Sequence, residues 1–552
     1  NISLGFQAGR HNRGGDDNIA IGREANCTLC RGKNNISMGK NAARCIANGC
    51  YNIFLGTYAG RNVNNGNANI AIGRRAGISI TNSNLNILIG CCAGGNNTSG
   101  NCNISLGYQS NRNNTSGTGN LVIGNNAAVT SNFHQNIIAI GCCAATCGFG
   151  DNDGNGGIAI GSCAGRYAKA DNIVIGNNAG KNACCAHNVL IGSNAGREST
   201  GACANVMLGL QAGLQNTTGD RNVNLGASAS QGNTTGSYNV SIGDCSGPQT
   251  TGATTVGNVF IGRFSGQNAT TAACNTIIGF NNGACLTTGV RNVFLGRSAG
   301  LGVTTGDTNF YVGNHAGPSL CGHKGSSNIA LGNNAMRNSP ASSTASCNVI
   351  LGLSAGAYNN ANNSVFLGLC AGRNNDTGAN NVFMGCSTGI GNSTGADNIA
   401  IGQISGAQSS GASGSYNITL GHSNGCSLSS GACNIFIGRK TGRDVSTGLR
   451  NIAIGNRVNL PSATGNDQLA IGCCEGRWIE GDSSFKVTLA GIVTATAGGA
   501  VCANSTTLKA YALDTDIFSI IRSDHASSNL FRIFQDSSAG GGAGGPHINT
   551  FN

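Results

Sequence analysis

Charge is scarce in this sequence. Of 552 residues, 10% are Asp, Glu, Lys or Arg, where a soluble domain carries about 25%. Proline is rarer still, with 5 residues, and there is 1 Trp. Intrinsic disorder needs high net charge or abundant Pro, so both shortages argue against it. No Gly-X-Y period runs through the chain, which excludes collagen. No apolar run reaches the ~18 residues of a membrane-spanning helix, and membrane insertion is not expected. The 21 acidic residues and 8 His are thinly spread. The side-chain pairs of general acid–base chemistry are correspondingly few. No catalytic residue, metal site or cofactor is assigned, and the chain is not expected to be an enzyme.

Glycine, by contrast, is abundant, at 90 residues, and it marks an internal repeat. Asn1-Ile2-Ser3-Leu4-Gly5 returns as Asn18-Ile19-Ala20-Ile21-Gly22, Asn35-Ile36-Ser37-Met38-Gly39 and Asn52-Ile53-Phe54-Leu55-Gly56, 17 residues apart each time. The closing Gly of this phrase recurs 28 times, from Gly5 to Gly472. The full unit reads Asn, apolar, variable, apolar, Gly, two variable residues, Ala or Ser, and Gly. A loop follows that often ends Thr-Thr-Gly, as at Thr217-Thr218-Gly219 and Thr304-Thr305-Gly306. Two apolar residues flanking one other have the period of a strand with one buried face. Ile19 and Ile21 are thus expected to face one way, into a core, and Ala20 the other. Gly at both corners suits tight turns.

So short a strand must stack on copies of itself to bury that face. The expected architecture is all-β, a parallel β-solenoid (β-roll) of about 28 turns with 17-residue repeats over residues 1–476. A small β-rich C-terminal segment follows, over 477–552. Equivalent residues then form ladders. Asn18, Asn35, Asn52, Asn69, Asn86, Asn103 and Asn120 are expected to make a structural Asn ladder. Longer units place their extra residues in loops near 151–157, 248–255, 318–325, 338–346 and 408–415. The position between the two apolar ones holds Ser, Ala, Leu, Phe or Tyr (Phe54, Phe260, Phe294, Tyr311, Phe366, Phe383, Phe436) and is rarely charged. An outward face of that composition is either covered, by other copies of the chain, or simply suited to a pleated surface. Trp478, at the end of the repeats, is placed to seal the open end of the solenoid.

The 26 Cys invite a disulfide reading. Cys27 and Cys30, Cys45 and Cys50, and Cys426 and Cys433 are close in sequence. Cys143 and Cys163 occupy like positions on neighbouring turns, and Cys370 and Cys386 nearly do. Ladder spacing lies within the Cα range of a disulfide. The alternative is small buried thiols in place of Ser or Ala. Cys27-Thr-Leu-Cys30 has no matching second pair, which argues against zinc. The repeat of calcium-binding β-rolls is absent, and the Thr are too irregular for an ice-binding ladder. Asp16-Asp17 and Asp151-Asn152-Asp153, the best acidic clusters for glycan cleavage, read as turn residues.

Net charge is +11. Arg10, Arg61, Arg166, Lys181, Arg197, Arg373 and Arg443 each lie five places after a closing Gly and would share one edge as an interrupted basic stripe. Such a stripe suits anionic surface polysaccharide or phosphate, or serves only solubility. Aromatic and basic residues do not interleave as in single-strand binders, and no nucleic-acid partner is expected.

Units such as Asn292-Val-Phe-Leu-Gly-Arg-Ser-Ala-Gly300 and Asn328-Ile-Ala-Leu-Gly-Asn-Asn-Ala335 resemble repeats of phage tail-fibre β-solenoid proteins. More distantly they resemble the head repeats of trimeric autotransporter adhesins, whose unit is shorter. The resemblance covers about residues 1–476. It implies a homotrimeric, extracellular fibre on a virion surface, mediating attachment to a host cell-surface glycan or protein receptor alongside other fibre or virion proteins. The alternatives are a bacterial surface adhesin or filament subunit and, in a different class, a polysaccharide-degrading tailspike. The tail after residue 476 resembles β-rich segments of such fibres, which sometimes precede a cleaved chaperone. The chain starts at a repeat boundary without Met or a signal peptide, so a longer natural chain is expected.

Overall fold

The computed structural model describes residues 1–489, apart from residues 29, 131–134, 150–154, 170, 475 and 485, and three strands beyond them. The chain divides into two units, Asn1–Ala490 and Gly491–Asn552. In the first, each repeat contributes a short strand, and successive strands from Ile2–Leu4 to Leu469–Cys473 pair in parallel. The architecture is an all-β parallel β-solenoid with a repeat of about 17 residues and no helix among the described residues. Register is kept one repeat at a time: Ile19 pairs with Ile36, Ala20 with Ser37 and Ile21 with Met38.

The sense of burial reverses the expectation. The middle residue of each strand, not the flanking pair, faces the core. Ala20 is 2% exposed, and Phe54, Leu88, Phe260, Phe294, Tyr311, Phe366 and Phe436 are fully buried. Ile19 and Ile21 are half-exposed, and Leu208 and Ile401 reach 43% and 40%. The reason is the narrowness of the coil. A strand of three residues can send one side chain inward and two outward. The large middle residues are therefore covered by the chain's own opposite wall, not by other copies.

That wall has two columns. One is the Ala or Ser three places after the closing Gly, as in Ala25, Ala42, Ala59 and Ala76, all fully buried. The other lies seven places after it: Ile46, Val63, Ile80, Leu286 and Val303. The Gly between them is dictated by close approach. At Gly372, φ is +56°, and a Cβ would lie 2.8 Å from the Phe366 ring. Aromatic neighbours stack along the core: Phe366 on Phe383 at 5.2 Å between ring centres, and Phe294 on Tyr311 at 5.3 Å. Burying each such ring contributes roughly 2–3 kcal/mol.

The Asn of the repeat is buried and bonded three ways. Asn35 donates its backbone N–H to Asn18 Oδ1 at 2.9 Å. Its Nδ2 donates to the same oxygen at 3.0 Å and to the Gly49 carbonyl, on the loop of its own turn, at 2.8 Å. The pattern repeats through Asn52, Asn69, Asn86, Asn103 and Asn120. Ile137 interrupts the ladder, although its N–H still donates to Asn120 Oδ1 at 3.1 Å. This geometry satisfies a buried amide completely, and an unpaired one would cost about 1–3 kcal/mol.

Longer repeats absorb their extra residues in turns, where Gly252 and Gly411 border open space. The first long repeat differs. Asn155–Ile160 is a six-residue strand pairing Asn155 with Gln135, so residues 155–157 extend the sheet; residues 151–154 lie outside the described residues. At the far end Gly476–Gly481 turns back antiparallel on Leu469–Cys473 and is followed by Val487–Leu489. This hairpin covers the last parallel edge. Trp478 does not seal it, being 61% exposed, because the residue stands on the outer face of the returning strand. In the second unit Asp516–Ile521, Asn529–Phe534 and His547–Asn549 form an antiparallel sheet. The rest of the expected β-rich C-terminal segment lies outside the described residues.

Candidate functional site

The largest continuous chemical feature is an apolar belt on the outside of the strand column. The first and third strand residues are Ile, Val, Leu, Met or Phe in every repeat except at Thr276. Leu208, Ile278, Ile401 and Ile437 are among the exposed members. The next outward position on one side adds Tyr108, Leu210, Phe280, Leu353 and Leu369. On the other side it adds Tyr51, Leu85, Tyr238 and Tyr416. These positions alternate with inward ones, so the belt follows the pleat. Rungs about 4.8 Å apart make it roughly 130 Å long, and the two strand columns alone span about 7 Å, or roughly 900 Å² in projection. Isolated soluble chains seldom expose apolar patches beyond ~300–600 Å².

Beside the belt runs a second polar ladder that composition alone does not announce. The residue two places before the repeat Asn accepts a backbone N–H from the preceding turn. Asn67 accepts from Cys50 at 2.8 Å, Asn84 from Asn67 at 2.8 Å, and Asp307 from Val290 at 2.8 Å. Asn, Asp and Ser interchange here because each offers a short oxygen acceptor. The first Thr of the Thr-Thr pair likewise bonds to the next turn: Thr270 to the Thr287 carbonyl at 3.1 Å, and Thr287 to the Thr304 carbonyl at 3.0 Å.

None of the sequence-proposed cysteine pairs is bonded. Cys27, Cys30, Cys45, Cys50, Cys143, Cys163, Cys370, Cys386, Cys426 and Cys433 are all free thiols. Cys27 is buried and Cys30 exposed. Cys143 and Cys163 share a register, but in a parallel ladder their Cα–Cβ vectors run side by side. The Cβ separation then stays near the ~4.8 Å rung spacing, beyond the ~3.8 Å a disulfide prefers. Bonds form instead off the ladder register: Cys185–Cys203 joins a shortened repeat to the next one, and Cys285–Cys321 reaches from one repeat to the lengthened repeat two turns on. Their Cα separations are 5.1 and 5.6 Å. Burial raises the thiol pKa of Cys92, Cys143 and Cys245, which disfavours the reactive thiolate. Among the described residues no three His, Cys, Asp or Glu lie close enough to hold a metal ion.

The basic stripe separates into parts. Arg166, Lys181 and Arg197 stand on three successive turns, linked by Tyr167 N–H to the Lys181 carbonyl and Asn182 N–H to the Arg197 carbonyl. Arg197 is paired with Glu198 at 2.7 Å. Arg166 lies over Tyr167, and Arg61 over Tyr58, at 5.4 and 5.3 Å. Arg10 and Arg373 are exposed on isolated turns, and Arg443 meets a cluster that the five-place spacing missed. Asp16 is held by Lys33 at 3.0 Å, and Asp17 has φ +57°, a turn residue. Asp151 and Asp153 lie outside the described residues.

Among the described residues His323 is the one strongly shifted histidine. It is buried in the 318–325 loop, where its Nδ1 accepts the Gly325 N–H at 3.2 Å and its Nε2 has no partner. Burial pushes its pKa down to about 4. It stands in for the Asn that caps this loop elsewhere, as Asn97 Oδ1 accepts the Gly100 N–H at 2.8 Å. A native pKa below the ordinary 6.5 means that the unfolded chain binds the proton first. Stability is therefore expected to fall as pH drops from about 6.5 to 4, by about 3 kcal/mol in all. Urea midpoints across that range should show the loss in the native chain and a smaller one in His323→Asn, which keeps the acceptor.

Comparison with known protein families, with curated proteins and with solved structures finds no match.

Proposed function

We propose that this chain is a structural subunit of an extracellular fibre that associates with copies of itself, as a homotrimer, through the apolar belt. Its role is mechanical and adhesive, not catalytic, as a phage tail-fibre shaft that meets a host-surface glycan or protein receptor. The observation that carries this reading is the belt itself. Its two strand columns carry no charge and are regular along the solenoid, and their roughly 900 Å² compares with the ~800 Å² per partner of stable interfaces. The two disulfides agree with an oxidising, extracytoplasmic setting. The resemblance of the repeat to tail-fibre units supplies the virion and the threefold state.

Light scattering on the full chain should give three times 55.2 kDa. Leu208→Asp combined with Ile401→Asp should shift the mass toward one copy while leaving the far-ultraviolet spectrum of the β-fold intact, since both side chains are already exposed in the single chain. A native chain that stays at one copy up to high micromolar concentration would refute the assembly.

A further inference from the structure

Lys440 and Arg457 stand at the same place in successive repeats, two residues after Gly438 and Gly455. Both have left-handed backbone, with φ +55° and +57°, which turns the two side chains outward from the same corner. Arg443, on the turn of Lys440, completes a cleft of about 240 Å³ whose other lining residues are Asp444 and Asn459. The Asp444 carboxylate is already engaged by Asn459 Nδ2 at 2.7 Å. None of the three cations has an ion-pair partner among the described residues. Elsewhere on the solenoid such partners are supplied: Arg450 with Asp467 at 2.7 Å, one turn away, and Arg263 with Asp244 at 3.1 Å. Three like charges around one cleft, with one carboxylate turned to an amide, leave a net charge of two to be balanced.

We infer that Lys440, Arg443 and Arg457 form a binding site for a doubly charged tetrahedral oxyanion, the charge state of a phosphate monoester such as an acidic polysaccharide carries. Arg443 and Arg457 offer forked N–H donors suited to tetrahedral oxyanions, and Lys440 adds a point charge. The Asn459 amide holds one oxygen of Asp444, whose single negative charge leaves the net charge of two. The cleft accommodates one such group with part of its carrier. The site does not depend on the fibre reading.

The test is calorimetric titration of the full chain with sodium sulfate, sodium phosphate and, at matched ionic strength, sodium acetate. Saturable binding of sulfate, phosphate or both is expected, with acetate about tenfold weaker or absent. Lys440→Gln and Arg457→Gln should each weaken dianion binding about tenfold, with thermal midpoints unchanged because both residues are on the surface. Arg10→Gln, an exposed cation elsewhere, should bind as the native chain does. Absence of saturable dianion binding, acetate binding equal to sulfate and phosphate, or equal affinity in the native chain and both site variants, would overturn the assignment.

Discussion

Phe366→Ala should destabilise the surrounding turns by about 3–5 kcal/mol, the cost of truncating a fully enclosed aromatic side chain. Phe366 is fully buried and stacks on Phe383. Its ring is also closed in by Gly356 and Gly372, where an added Cβ would come within 2.9 and 2.8 Å of it. With backbone on two sides, the cavity has little means of collapse, which puts the cost toward the upper end. Leu367, next along the strand but turned outward, is the control. In the single chain Leu367→Ala should cost well under half as much. Amide hydrogen exchange across residues 349–384 reads both, because a solenoid opens locally. Equal losses at the two positions would restore the outward assignment of the middle residue.

Gly372→Ala is the second large effect, expected at roughly 2–5 kcal/mol. The left-handed backbone alone costs an L-residue about 1–2 kcal/mol. The new methyl would meet Cδ1 and Cε1 of Phe366 at 2.8 Å, and such overpacking costs about 1–3 kcal/mol. The two contributions are separable. In Phe366→Ala/Gly372→Ala the steric part disappears while the backbone part remains, so the double variant should be more stable than the sum of the singles by at least ~1 kcal/mol. Strict additivity would mean that Gly372 is required by its φ alone.

The same pair of residues marks how much was legible in the sequence. The period, the strand, the parallel register and the two Gly corners were all readable from spacing, because stacking forces equivalent residues into ladders. The Asn ladder was readable for the same reason: Asn18 to Asn120 recur every 17 residues. The direction of burial was not. The near-constant Ile, Val and Leu flanking each strand centre looked like core, and the varied centre looked like surface. In a coil this narrow the centre varies because its size must match the opposite wall, Phe366 opposite Gly372, while the outward pair stays uniform along the column. The free cysteines misled through distance without direction, since Cys143 and Cys163 are near but parallel. Lys440 and Arg457 were within reach, 17 residues apart. Counting cations at one register, five places after Gly, passed over two that meet Arg443 from another.

The Asn ladder has a handed logic of its own. Each Asn Oδ1 accepts from the Asn that follows it in the chain, as Asn18 does from Asn35 and Asn35 from Asn52. Through this ladder a finished turn thus offers an oriented acceptor to the segment made next, while the flanking ladder runs the other way, Asn67 accepting from Cys50. Assembly can run in the direction of synthesis, each new turn templated by its predecessor as it leaves the ribosome. The entropy lost is then one short loop at a time, and a rod of this length never has to search for a distant partner strand.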